Sequence, residues 1–104
     1  MRWDASYPVT VNNATEAAFA QACAADLFGG ERAATMAHPV PGAEDFSYVL
    51  QEVPGAFVFL GACPEGVEPS TAPSNHSARA VFDDQVLADG MTLLTELALR
   101  RLAR

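Results

Sequence analysis

Between Asn13 and Phe28 the apolar residues Phe19, Cys23 and Leu27 recur every fourth position, and alanine fills most of the space between them. Residues four apart share a face of an α-helix, so this spacing predicts a helix over about residues 14–28. Asn13 and Glu16 stand in capping-box relation at its start, and Gly29-Gly30 ends it. The alanines at 14, 17, 18, 20, 22, 24 and 25 leave a slim rod that can lie close against a neighbour. Ahead of it, Tyr7 to Val11 combines β-branched residues with one proline, the composition of a short edge strand or an extended entry segment.

Beyond the double glycine, Arg32 to Ala37 is a strand candidate, stopped by His38-Pro39-Val40-Pro41-Gly42, where two prolines withhold backbone donors. In the following AEDFSYVLQEV, Phe46, Val49, Leu50 and Val53 share a helical face, with Glu44 and Asp45 in the first turn, where the helix dipole favours negative charge. Pro54-Gly55 closes that helix. Ala56 to Leu60 is apolar without alternation, as expected of a central strand covered on both faces. Gly61 to Ser74, rich in proline and glycine, reads as a long loop. Asp83 or Asp84 then caps a final helix, with Leu87, Met91, Leu94 and Ala98 as its apolar stripe and arginines at its C-terminal end.

Helix, strand, helix, strand, helix is the alternation of an α/β layered unit. A strand buried on both faces needs further strands beside it and helices on both sides, so the pattern describes part of a domain. At 104 residues there is room for one domain at most.

Composition narrows the function classes. Half the residues are hydrophobic and the mean hydropathy is +0.10, which fits a folded globular chain and not a disordered one. The net charge of −7 opposes nucleic-acid binding, and the only basic cluster is Arg100, Arg101 and Arg104. No secretory leader and no membrane-length apolar run stands in the sequence, so the expected address is the cytoplasm, without membrane contact. Cys23 and Cys63 sit in apolar stretches and read as free thiols, small buried hydrophobes. Two sequons, Asn13-Ala14-Thr15 and Asn75-His76-Ser77, read as local hydrogen-bonding residues.

Candidate chemistry centres on His76, in a polar loop after the expected central strand. Strand C-termini and helix N-termini converge at such places to make ligand and metal sites. A lone loop histidine is also an ordinary solvated residue, and one imidazole cannot hold a catalytic zinc, which takes about three protein ligands and a water. His38 reads as a loop residue. Glu44 and Asp45 are accounted for by the helix dipole, with a substrate cleft as the second account; Asp83 and Asp84 are accounted for by capping. Phe46, Tyr48, Phe57 and Phe59 read as core, or alternatively as an aromatic pocket. Nucleophile-elbow and phosphate-loop motifs are missing.

The blocks GAEDFSYVL (42–50), PGAFVFLG (54–61) and NHSARAVFDD (75–84), followed by the long helix, resemble in order and spacing the C-terminal end of the M20 metallopeptidases, in the amidohydrolase branch that includes hippurate hydrolases and N-acyl-amino-acid deacylases. The upstream YPVTVNNATEAAFAQACAADLFG is similar to the place where that family's chain leaves its lid or dimerisation domain, so residues 1–12 would be the exit and 1–104 the C-terminal segment of a catalytic domain. The resemblance implies a partial three-layer α/β/α unit of a zinc-peptidase-like domain, with few strands and flanking helices. It implies a divalent-metal centre, zinc or manganese, that activates water to cleave an amide bond of an N-acyl amino acid or peptide. Most metal ligands and the glutamate base of such enzymes come from an N-terminal part with no counterpart here. The last ligand maps to His76, and Glu44, Asp45 and Asn75 become substrate-cleft candidates. The isolated chain is then expected to be inactive, its metal site unfilled. Two alternatives stand beside this: a non-catalytic assembly module that pairs with a missing half or forms a homo-oligomer, and a small self-sufficient enzyme using His76 and a carboxylate as acid and base.

Overall fold

The structure, a computed structural model, describes residues 6–103. Residues 1–5 of the expected lid-domain exit and Arg104 of the basic cluster lie outside the described residues. The chain forms two compact units, one ending at Val58 and the other starting at Phe59.

In the first unit, α1 spans Ala14–Phe28 and α2 spans Phe46–Glu52. Helix α1 starts where the sequence places it: Asn13 Oδ1 accepts hydrogen bonds from the N–H groups of Thr15 and Glu16 at 3.0 and 3.2 Å, satisfying two of the donors a helix start leaves open. The N–H of Asn13 itself donates to Gly55 O at 2.9 Å, so the first residue before the helix is tied to a distant part of the unit. Gly29 ends α1 at φ +94°, a conformation costly for any residue with a Cβ. Ala20 and Cys23 are buried and Phe19 and Leu27 are half-buried on the same side, whereas Ala14, Ala18 and Ala22 are exposed, so only part of the alanine-rich surface lies against neighbours.

The expected strand at Arg32 to Ala37 is not formed. Gly30–Arg32 is a 3₁₀ turn, and Gln21 on α1 reaches across to donate from Nε2 to Ala33 O at 3.3 Å and Thr35 Oγ1 at 2.9 Å. The backbone there serves a side chain of α1 and not a strand neighbour. The Arg32 guanidinium lies 5.2 Å from the centre of the Phe28 ring, a cation–π contact at the same corner.

The expected strands at Tyr7 to Val11 and Ala56 to Leu60 are likewise unformed; among the described residues there are three α-helices, one 3₁₀ turn and no strand. The chain around Phe57 is extended, but its pairing is made by a side chain. Asn12 Nδ2 donates to Phe57 O at 3.0 Å and Asn12 Oδ1 accepts from Phe57 N at 2.8 Å. A strand is stable only where a neighbour takes its backbone groups, and within this unit the carboxamide of Asn12 takes that place for a single residue. The prediction of burial on both faces also fails: Val58, Phe59 and Leu60 are half or more exposed. Of the aromatic residues expected in a core, Phe46 and Phe57 are half-buried with ring centres 5.8 Å apart, whereas Tyr48 and Phe59 are exposed. Tyr48 stacks at 5.9 Å on Tyr7 and donates its hydroxyl to Ser6 O.

In the second unit, α3 spans Val86–Leu102. Neither candidate aspartate caps it: the N-cap is Gln85, without a side-chain cap bond, and Asp83 Oδ1 accepts from Gln85 N at 2.9 Å in the turn ahead of the helix; Arg100 pairs with Glu96 one turn earlier at 3.1 Å. The half-covered side of α3 is Val86, Gly90, Leu93 and Leu97, and at Gly90 a Cβ would come within 2.9 Å of Leu60 Cδ2. The stripe chosen from the sequence lies elsewhere on the helix. Leu87, Met91 and Leu94 are 61%, 71% and 70% exposed, about 100° around the helix axis from the covered side. Both stripes are apolar, and only one is covered by the unit.

Candidate functional site

His76 is carried by the loop that joins the extended segment after Phe59 to α3. Asp83 N donates to Ala62 O at 3.0 Å, so the loop leaves and returns through one neck. Inside it the backbone is held by a succession of short turns. Val67 N donates to Pro64 O, and Cys63 Sγ donates to Val67 O at 3.5 Å. The Glu68 carbonyl accepts from Thr71 N and Ala72 N, while its carboxylate accepts from the hydroxyl and N–H of Ser70. Glu68 is thereby a structural residue of the loop, its carboxylate engaged locally.

The next turn presents the candidate ligand. Ser77 N donates to Ser74 O at 2.8 Å, which makes Ser74 to Ser77 a β-turn with Asn75 and His76 at its two corner positions. The Ser74 hydroxyl works in both directions: it accepts from His76 N and donates to Asn75 Oδ1, each at 3.3 Å. Ser77 begins a second turn, accepting from Ala80 N at its carbonyl and from Arg79 N at its hydroxyl. Serine hydroxyls that bond the backbone two residues on favour such turns, and two of them bracket the histidine. His76 is exposed while its backbone is fixed on either side. The ring is neither turned inward nor packed in an interior, which is what a ligand donated outward requires.

Glu44 and Asp45 belong to the other unit, and their roles separate. Helix α2 begins only at Phe46, so both residues precede its first turn. Glu44 Oε1 accepts from Phe46 N at 3.1 Å and its carbonyl accepts from Ser47 N, so the capping is done by Glu44. Ser47, which is buried, also donates its hydroxyl to the same carbonyl. Asp45 makes no side-chain cap and is exposed. His38 is exposed on the proline-rich loop, as expected of a loop residue. Of the cysteines, both free, Cys23 is buried as expected and Cys63 is exposed, because the loop turns it outward at Val67.

Among the described residues no three or more His, Cys, Asp and Glu side chains cluster so as to hold a metal ion. The donors among the described residues therefore do not fit a complete metal centre. No helix among the described residues is long and apolar enough to cross a membrane. The parts of the site that pattern alone left unseen are Ser74 and Ser77. The signal was present as two serines three apart around the histidine.

Comparison with known proteins bears on the same residues. The signature of peptidase family M20/M25/M40 matches residues 1–100. IAA-amino acid hydrolase ILR1-like 4 of Arabidopsis thaliana is 32% identical over 96 residues, which is 92% of this chain and 21% of that protein. Putative amidohydrolase YhaA of Bacillus subtilis is 29% identical over 97 residues, 93% of this chain and 24% of that protein. Thermostable carboxypeptidase 2 of Saccharolobus solfataricus is 33% identical over 96 residues, 90% and 22% respectively. The chain thus spans between a fifth and a quarter of the length of these relatives. No solved structure matches it.

Proposed function

The chain belongs to peptidase family M20/M25/M40, and from that premise we propose that it is the C-terminal part of a metal-dependent amidohydrolase that cleaves the amide bond of N-acyl amino acids or related small conjugates. The observation that carries the reading is His76 exposed at the corner of the Ser74–Ser77 turn, in the block for which the family resemblance implies a metal-binding histidine. The names of the relatives, an IAA-amino acid hydrolase and an amidohydrolase, support amide cleavage over other hydrolytic chemistry.

In the whole enzyme His76, together with ligands from other residues, would hold a divalent ion such as zinc or manganese, whose chemistry when bound would be to activate a water at neutral pH. The contribution of this chain is narrower. His76 donates one imidazole nitrogen, and the Ser74 and Ser77 turns fix the backbone that carries it, so that little freedom is lost when the ligand is engaged. Asn75, at the other corner of the turn, is the polar group beside His76 available to a substrate; in the first unit, Asp45 is exposed ahead of α2 and Glu44 is engaged in capping. With one donor the isolated chain has no catalysis of its own.

The test is reconstitution. Supplying the rest of an M20 chain together with zinc or manganese restores hydrolysis of N-acyl amino acids, and His76→Ala abolishes it. No recovery across a panel of acyl groups, or full recovery with the alanine variant, would overturn the assignment.

A further inference from the structure

An asparagine followed by a free amide nitrogen carries an intramolecular reaction, because that nitrogen can close a small ring onto the side-chain carbonyl. The chain has three asparagines, Asn12, Asn13 and Asn75. In the first two, hydrogen bonds hold the reacting groups elsewhere. Asn12 grips both backbone groups of Phe57, and the nitrogen that would attack it, Asn13 N, donates to Gly55 O. Asn13 Oδ1 is held by the N–H groups of Thr15 and Glu16 at the start of α1.

Asn75 is placed differently. It is exposed, and one hydroxyl is shared by the two groups that would react: Ser74 Oγ accepts from His76 N and donates to Asn75 Oδ1, each at 3.3 Å. A hydroxyl in that place can take the proton of the nucleophile and give its own to the carbonyl oxygen, the task of a general base and a general acid. We propose that Asn75 is a self-modifying site, at which Ser74 assists conversion of the Asn75–His76 link to a succinimide and then to aspartate and isoaspartate.

In the first step His76 N forms a bond to Asn75 Cγ. Its proton passes to Ser74 Oγ and the serine's own proton passes to Oδ1, leaving a tetrahedral carbon that bears a hydroxyl and an amino group. The hydroxyl proton then moves to the amino nitrogen, the Cγ–Nδ2 bond breaks, and ammonia departs with the electron pair as the carbonyl re-forms. Water opens the ring. Cleavage of the new Cγ–N bond gives aspartate, and cleavage at the main-chain carbonyl carbon gives isoaspartate. Either product adds a negative charge beside His76, and isoaspartate also lengthens the backbone by a methylene inside the Ser74–Ser77 turn. The only co-reactant is water, and the site stands whether or not His76 meets a metal.

The test incubates the 104-residue chain at neutral pH, cuts it with trypsin, and follows amide-to-acid conversion by mass, with isoaspartate resolved by chromatography. Cleavage after Arg32 and Arg79 puts Asn75 in the fragment 33–79 and leaves Asn12 and Asn13 upstream of it. Conversion is expected in the 33–79 fragment and not, over the same time, upstream. Ser74→Ala is expected to slow it about fivefold, the factor equivalent to about 1 kcal/mol for one net hydrogen bond. Ser74→Thr keeps the hydroxyl and should keep the rate, and Ser77→Ala, which leaves the relay intact, should not change it. In urea, where the sequence is the same and the relay is lost, the wild-type rate should fall to that of Ser74→Ala. A Ser74→Ala rate equal to or above wild type overturns the proposal, as does faster conversion in urea, since either makes the turn a brake. Equal slowing by Ser77→Ala assigns the effect to the turn and not to the relay, and equal conversion of all three asparagines removes the site; both also overturn it.

Discussion

The carboxamide of Asn12 grips both backbone groups of Phe57, donating to its carbonyl oxygen and accepting from its N–H within 3.0 Å. One side chain thus makes the pair of bonds that an adjacent strand residue would make. The next residue, Asn13, extends the join by donating its N–H to Gly55 O, while its side chain starts α1. Consecutive asparagines therefore fasten the Gly55–Phe57 stretch to the entrance of the first helix.

Replacing Asn12 by alanine removes both bonds at once. Each is exposed and contributes little net free energy, so the expected cost is about 1–2 kcal/mol, read as a lower urea midpoint. The Phe57 amide should also exchange its proton faster, while amides in the middle of α1 keep their protection. Asn12→Asp retains the acceptor for Phe57 N but sets a carboxylate against the carbonyl oxygen, so it should not restore the midpoint. An Asn12→Ala chain with wild-type exchange at Phe57 would show that the clamp is idle.

At Gly90 two effects oppose one another. Alanine gains about 1 kcal/mol of helix propensity over glycine, and its Cβ meets Leu60 Cδ2 at 2.9 Å. Leu60 is half exposed and the atom is the far end of its side chain, so a rotation relieves the contact. Gly90→Ala is expected to stabilise the second unit slightly. Combined with Leu60→Ala, the gain attributable to position 90 should rise toward the full propensity value in a double-mutant cycle. A loss of helical signal on Gly90→Ala would mean that Leu60 cannot move.

The two thiols should be distinguishable by chemistry. Cys63 is exposed on the loop, and Cys23 is 1% exposed on the buried side of α1. A disulfide reagent is expected to label one equivalent quickly in native buffer and the second only after denaturant is added. Fast labelling of both would place α1 in a frayed state.

His76 should separate stability from chemistry. Because the residue is exposed and its local bonds are made by its backbone, His76→Ala should shift the unfolding free energy of the isolated chain by no more than about 0.5 kcal/mol. Ser74→Ala, which removes the hydroxyl that accepts from His76 N, should release the turn and speed exchange of the His76 amide without changing the helix content.

The helices were legible in the sequence because their signals are local. The four-residue spacing of Phe19, Cys23 and Leu27, the Asn13 cap and the Gly29 stop lie within one stretch of chain, and α1 begins and ends where they say. The strands were not, because a strand is defined by a neighbour. Ala56 to Leu60 has the composition of a central strand, yet within the chain the partner at Phe57 is the side chain of Asn12. On α3 the choice of stripe went to Leu87, Met91 and Leu94 because hydropathy cannot rank two apolar stripes on one helix. Gly90, the residue that admits Leu60, carries no hydropathic weight at all. The family was visible as ordered blocks, and the proposed role of His76 rests on the same blocks. The serines that hold the histidine outward were visible only as spacing.

The single bond between Asp83 and Ala62 has a consequence for how such a loop can vary. Closing a loop costs only about 0.6 kcal/mol more for each doubling of its length, and the turn bearing His76 is stabilised by bonds within residues 74–80. Insertions or deletions between Pro64 and Pro73 would leave both anchor points intact. The fold thus holds the imidazole on a short fixed mount and leaves the adjoining arc open to lengthening, so that evolution can reshape the surroundings of the histidine without disturbing it.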